Sequence, residues 1–232
     1  MASTIKSHSA WALVVACGKS EQISADVDTA FLQMGDQPVL AHSLLAFERC
    51  PDIDGIVVVA PKDRLEHVVG MARMYGTPKL KKIVGGAVQK TTSIKAGLAA
   101  MDDIGATIIV LHESSQPGIT PTTISDTVKA AKRYNIAAAA QKLDMPIATV
   151  PKGLKAEKVV DSSAFWSVEM PVAAKRDHLE KALGLGRSKT KVDDTQFNER
   201  LLKGVHVVPT ERANLRIRTL SDIQIVSTAM RA

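Results

Sequence analysis

The sequence predicts an α/β fold with a three-layer, mostly parallel central sheet. Three observations carry that reading. Short Val/Ile-rich runs, apolar on both faces, recur along the chain, as strands of a buried parallel sheet require. Longer segments with apolar residues three and four apart lie between them, which suits helices packed on such a sheet. No internal repeat, low-complexity tract or composition break divides the 232 residues, so residues 1–232 read as a single domain.

Taken in order, Trp11–Cys17, Gly55–Ala60, Lys82–Val84 and Thr107–Leu111 read as strands. Val39–Cys50, Asp63–Tyr75, Thr91–Met101 and Thr122–Tyr134 read as the helices that cross between and beyond them. The pattern then changes. Ile136–Val150, Pro151-Lys152-Gly153 and Val159–Asp161 read as extended chain with a basic turn, open to forming a protruding arm. Leu179–Leu183, Asp194–Leu202 and Ser221–Met230 follow as helices, with Val205–Pro209 and Leu215–Arg218 as strands.

Composition narrows the function classes. Apolar residues make up 45% and charged residues 23% of the chain, close to globular averages, which argues against disorder and fibrous repeats. Four Phe, two Trp and two Tyr are too few for recognition by stacked bases, so no nucleic-acid partner is expected. The net charge of +6 falls mainly in the second half, where dispersed lysines read as solvated surface. Cys17 and Cys50 form no disulfide framework or zinc quartet, and the six histidines show no metal spacing. Val14-Val15-Ala16-Cys17 has the form of a lipoprotein cleavage box, but the apolar run before it is short for a signal peptide, so the expectation is a cytoplasmic protein. No apolar stretch is long enough to span a membrane.

Local motifs suggest a ligand site at one end of the sheet. Ala16-Cys17-Gly18-Lys19-Ser20 follows the first strand, where a small-residue turn lets backbone N–H groups approach a phosphate; an ordinary α/β turn has the same look. A Walker A loop would need glycine where Leu13 stands. Gly85-Gly86 before Lys90-Thr91-Thr92-Ser93 admits close approach of a flat or anionic ligand, or Ser93 or Thr92 simply caps a helix. His112-Glu113-Ser114-Ser115-Gln116-Pro117 follows an apolar strand, making Glu113 a candidate partner for a metal or hydroxyl, or a solvated surface carboxylate. No nucleophile elbow, carboxylate pair or Cys/His nucleophile context supports a hydrolase.

Together these segments resemble the 2-C-methyl-D-erythritol 4-phosphate cytidylyltransferase family across nearly the whole chain. The most specific stretch is Phe31 to Phe47, reading FLQMGDQPVLAHSLLAF. Gly85-Gly86 through Ser93-Ile94 with Gly97-Leu98, His112 to Pro117, Val160-Asp161 with Phe165-Trp166 and Pro171, Asp193-Asp194, and Asn214-Leu215-Arg216 with Asp222 continue it. The resemblance implies a Rossmann-like nucleotidyltransferase fold with a protruding β-arm over residues 143–160 and a homodimer joined through that arm. It implies attack of the methylerythritol phosphate on the α-phosphate of CTP with Mg²⁺, releasing pyrophosphate. Carried over by position, Lys19 and Arg216 would be catalytic, and Ala16, Cys17, Gly18, Gly85, Gly86, Ser93 and Glu113 would hold the nucleotide. Lys90, Asp144 and Arg216 would face the phosphorylated substrate, with Glu113 near the metal.

The chain departs from the family pattern at its cations. Gln22 stands at the arginine of the glycine loop, Thr29 at the lysine of Pro-Lys-Gln, Gln116 at the arginine of His-Asp-Ala-Ala-Arg-Pro, and Ser162 at the arginine after Val-Asp. Lys90 and Arg216 keep a charge where the family has arginine and lysine. A charge-assisted hydrogen bond contributes roughly 1.5–3 kcal/mol, so four losses would total about 6–12 kcal/mol if additive, and residues acting as a unit are not additive. Half of that is roughly 10²–10⁴-fold in rate. The expectation is therefore a family member whose reaction is impaired or altered. A catalytically inactive dimeric binding protein, or a fully active enzyme using Lys19, Lys90 and Arg216, are the alternatives.

Overall fold

The computed structural model describes residues 9–24, 27–151, 153–185, 190–210 and 214–231. Lys152, in the expected basic turn, lies outside them. The first half alternates as expected: β1 (Ala10–Val15), α1 (Val39–Arg49), β2 (Gly55–Ala60), α2 (Leu65–Tyr75), β3 (Leu80–Gly85), α3 (Lys90–Ala99), β4 (Ile108–Glu113) and α4 (Pro121–Tyr134). The second half adds β5 (Ile136–Lys142), β6 (Ile147–Thr149), β7 (Lys158–Val160), β8 (Trp166–Lys175), α5 (Arg176–Ala182), α6 (Asp194–Leu202), β9 (His206–Pro209) and α7 (Leu220–Arg231).

Seven strands form the central sheet in the order β9-β5-β8-β4-β1-β2-β3. All neighbours run parallel except β8, which lies antiparallel between β4 and β5. Alternation along β1 shows why two helical layers are needed. Ala12 and Val14 face the core shared with α1, α2 and α4, whereas Leu13 and Val15 face the one shared with α3, α5 and α6. Phe47 of α1 and Phe197 of α6 are fully buried on these opposite sides.

Helix ends follow local chemistry. Thr120 caps α4 by accepting from Thr123 N–H at 3.1 Å, with Pro121 in the first helical position. Asp193 and Gln196 form a capping box at α6. Gly76, at φ 64°, ends α2 in the left-handed conformation that glycine adopts without a Cβ penalty.

Two departures from the sequence reading bear on the site. Leu215–Arg218 is not a strand: Ile217 N–H reaches Ser115 O at 2.8 Å, but Ile217 packs with Met34, Val39 and Val226 while Arg216 turns to the loop after β4, and no ladder forms. Trp166–Lys175 is a strand the pattern did not show, because Pro171 interrupts it. Its register shifts between Val168 and Val172, where a proline does no harm to a ladder. Between β5 and β8, β6 and β7 pair as an antiparallel hairpin, Ile147 opposite Val160, forming the expected arm. Among the described residues no helix is long and apolar enough to cross a membrane.

Candidate functional site

Strand ends β1, β3 and β4 deliver three loops to one edge of the sheet, residues 16–22, 86–89 and 114–117. The stretch 214–218 lies over the third. A cleft of about 720 Å³ opens among Lys19, Gln22, Lys90, Glu113, Asp194 and Arg216. A second, of about 540 Å³, opens beside Cys17, Gly18, Gly86, Lys62 and Arg64, and Gln22 and Val88 border both.

The first loop turns at Gly18, whose φ of 98° suits glycine, and where a Cβ would stand 3.0 Å from Val88 O. Ala16 N–H is already bonded to Val59 O at 2.8 Å and Lys19 N–H to Val88 O at 3.3 Å. The glycine pair has been filled from within. A Cβ on Gly86 would lie 2.1 Å from Cys17 Sγ, and one on Gly85 2.8 Å from Lys62 Cγ. Ser93 Oγ accepts from Ala87 N–H at 2.9 Å and lies 3.3 Å from Cys17 Sγ, so it fastens the loop after β3. Neither Ser93 nor Thr92 caps α3. The Asp194 carboxylate does so from α6, accepting from Thr91 N–H at 3.0 Å and Lys90 N–H at 3.4 Å.

Charges converge at the end of β4. Glu113, buried, receives Lys90 Nζ on one carboxylate oxygen and Arg216 Nη2 on the other. Arg216 Nη1 also reaches Glu21 Oε1 at 3.3 Å and Ser115 Oγ at 3.0 Å. Glu21 is fully buried and accepts from Ser114 Oγ at 2.7 Å, Ser115 N–H at 2.8 Å and Ser115 Oγ at 2.6 Å. Gln116 Nε2 donates to Asn214 O at 2.8 Å, tying the 214–218 stretch to this loop.

Burial and then the neighbouring Glu113 charge push the Glu21 carboxyl up to about 7, against the pull of Ser115, Ser114 and Arg216. Burial alone would raise Glu113, but Lys90 and Arg216 outweigh it and hold that carboxyl below its ordinary range. Burial drives the His112 imidazole down to about 3, so it stays neutral, with Nε2 3.0 Å from Ser43 Oγ. With both carboxylates ionised, Glu21, Glu113, Lys90 and Arg216 sum to no net charge.

A family model described as IspD, 2-C-methyl-D-erythritol 4-phosphate cytidylyltransferase, matches residues 10–232. A protein of that name from Dehalococcoides mccartyi is 30% identical over 216 residues, covering 91% of this chain and 92% of the relative. The chain belongs to the 2-C-methyl-D-erythritol 4-phosphate cytidylyltransferase family. Solved structures share the fold. A 4-diphosphocytidyl-2C-methyl-D-erythritol synthase from Anaerococcus prevotii superposes with a TM-score of 0.80 at 20% identity over 97% of both chains. The Thermus thermophilus cytidylyltransferase gives 0.70 at 21% identity over 95% of this chain and 98% of the other.

Of the residues singled out in this cytidylyltransferase family member, Lys19, Lys90, Glu113 and Arg216 meet at the larger cleft, and Cys17, Gly18 and Gly86 at the smaller. Ala16 and Ser93 are fully buried and support the loops behind them. Asp144 is not brought to either cleft. It is exposed at the root of the arm, because β5 carries the chain past the sheet edge before residue 144. Thr29 is fully buried in a 3₁₀ turn and also lines neither cleft, and Ser162 follows the arm. Gln22 borders both clefts and donates to Asp28 at 3.0 Å.

Glu21, Asp194, Ser114 and Ser115 were not picked out from sequence as site residues; a carboxylate inside a loop expected to wrap phosphates was the available signal for Glu21. Both Glu113 oxygens are taken by cations, and no group of three His, Cys, Asp or Glu gathers among the described residues. These donors do not suit a protein-held Mg²⁺.

Proposed function

We propose that this family member keeps a cleft shaped for CTP and a phosphorylated acceptor, with the cytidylyl transfer reaction impaired or altered. The observation that carries this is the state of the retained cations: Lys90 is engaged by Glu113, and Arg216 by Glu113 and Glu21. Phosphoryl-transfer catalysis is positioning plus cationic stabilisation of phosphate charge. Cations already neutralised by buried carboxylates give that charge little. The chain's own residues still supply a tight turn at Gly18, a loop pinned by Ser93, and Lys19 exposed at the cleft mouth. A divalent ion would have to come on the nucleotide's phosphates.

Pyrophosphate release from CTP, Mg²⁺ and 2-C-methyl-D-erythritol 4-phosphate tests this, with the Dehalococcoides mccartyi relative assayed alongside. A kcat/KM lower by roughly 10²-fold or more is expected from the lost cations; a value within tenfold of the relative's would overturn the proposal and favour the fully active alternative.

A dimer, which the transferase and the inactive binding-protein readings share, has its own support. The arm is exposed and carries Met145, Leu154 and Val159 on its surface, apolar side chains suited to burial against a second copy. Cys17 and Cys50 are both free and buried, which agrees with a reducing cytoplasm.

A further inference from the structure

The two clefts differ in charge. Lys62 and Arg64 on the wall of the smaller one are matched there by Asp28 and Asp63, and Arg64 Nε pairs with Asp63 at 3.6 Å. Around the larger one the four cations Lys19, Lys90, Arg216 and Arg218 face two carboxylates, Glu113 and Asp194, which leaves a surplus of two positive charges. That surplus belongs to particular side chains. Glu113 takes Lys90 and Arg216, and the Asp194 carboxylate is turned to the N–H groups that open α3. Lys19 and Arg218 are exposed and make no ion pair among the described residues. Arg218 is held at this wall through its backbone: Ile217 before it is buried with Met34, Val39 and Val226, and its own N–H donates to Asp222 Oδ2 at 2.8 Å. The same Asp222 oxygen accepts from Thr219 N–H at 2.8 Å. The arginines on either side of Ile217 thus share one cleft, and only Arg216 is spent on buried carboxylates.

We propose that Arg218, with Lys19 on the same cleft, anchors the phosphate of the phosphorylated acceptor, supplying from a new position the cationic charge that Gln116 and Ser162 do not. This rests on the reading of the site as one for CTP and a phosphorylated acceptor. A phosphomonoester carries about two negative charges above its second pKa of about 6, and the surplus on the larger cleft balances them. The nucleotide's phosphates would bring a divalent ion and ask less of the protein's cations; the acceptor's phosphate brings none. A guanidinium presents its donors as a planar fork that fits two phosphate oxygens at once, and one with no carboxylate partner has that fork to give. Asn198, one turn along α6 from Asp194 and on the same wall, offers an uncharged amide to the acceptor's hydroxyls.

Titration calorimetry at pH 8 tests this on wild type, Arg218→Ala and Arg218→Lys, each variant first shown to keep the wild-type circular dichroism spectrum. The nucleotide probe is α,β-methylene-CTP with Mg²⁺, which cannot release pyrophosphate, and 2-C-methyl-D-erythritol 4-phosphate is titrated into protein saturated with it. Arg218→Ala should weaken the acceptor by about tenfold or more, as loss of a charge-assisted hydrogen bond does, and Arg218→Lys should restore part of that. Affinity for the nucleotide probe should stay within about twofold in both variants. Acceptor affinity within about twofold of wild type in Arg218→Ala, with the probe bound normally, overturns the anchor and leaves the reading of the site intact. A loss confined to the probe also overturns it, by giving Arg218 to the nucleotide. If wild type binds neither ligand, the reading of the site is itself refuted and the anchor falls with it.

Discussion

Replacing Glu21 by Gln should change how stability depends on pH, and the structure gives the size. The carboxyl's ordinary pKa is 4.5 and burial beside Glu113 raises it to about 7 in the folded protein. An acid whose folded pKa is raised binds its proton more tightly when folded, so it costs stability as pH rises from 4.5 to 7 and costs the full amount above 7. At about 1.36 kcal/mol per pKa unit the full cost is about 3 kcal/mol. Glutamine keeps the shape and the acceptor oxygen and has no such proton to lose. Urea unfolding of wild type and variant, followed by tryptophan fluorescence at pH 5, 6, 7 and 8, should show the variant gaining on wild type by about 2–3 kcal/mol between pH 5 and 8, with equal m-values. A gap that is flat, or that widens in favour of wild type at high pH, would refute the reasoning. It would mean that Ser114, Ser115 and Arg216 stabilise the anion by more than burial penalises it.

Other outcomes follow from the same structure. His112, held neutral with a pKa near 3 against an ordinary 6.5, gives stability that is present at neutral pH and lost as pH falls below 6.5; His112→Asn should flatten the acid limb of the urea-midpoint profile. Arg216→Met leaves two buried carboxylates short of a cation and should lower unfolding free energy by about 3–5 kcal/mol, as breaking a buried pair does; a loss under 1 kcal/mol would show that Lys90 and the serines suffice. Gly86→Ala places a Cβ 2.1 Å from Cys17 Sγ, and overpacking of this kind should cost about 1–3 kcal/mol, read as a lowered Tm. Deleting residues 145–160 should yield monomers by light scattering if the arm joins two copies.

The parallel half of the fold was open to reading because each strand there is apolar on both faces and each helix carries its own spacing. Gly55–Ala60 is all buried and nothing but a central strand fits it. β8 was hidden because its pairing belongs to distant β4 and β5 while Pro171 speaks locally against a strand. Leu215–Arg218 looked like a strand, yet Ile217 is committed to the cluster of Met34, Val39 and Val226 and Arg216 to the loop after β4. The site was half legible. Lys19, Lys90, Glu113 and Arg216 stood at telling positions, but which cations are spent is a matter of side-chain geometry. Asp194 acts across the fold on α3, and a carboxylate more than a hundred positions away leaves no mark on the helix it caps.

β8 and the arm are one piece of chain. Near its start β8 pairs with β5, at its end it lies against β4, the strand that terminates in Glu113, and at its irregularity it holds Asn214. There Glu169 accepts from Asn214 N–H at 2.8 Å and Met170 O accepts from Asn214 Nδ2 at 2.9 Å. Two residues on is Arg216. The stalk of the arm is thus also the bracket for the guanidinium that bridges Glu21 and Glu113. The chain that returns from the arm therefore enters the very strand that holds the cleft's bridging guanidinium in place.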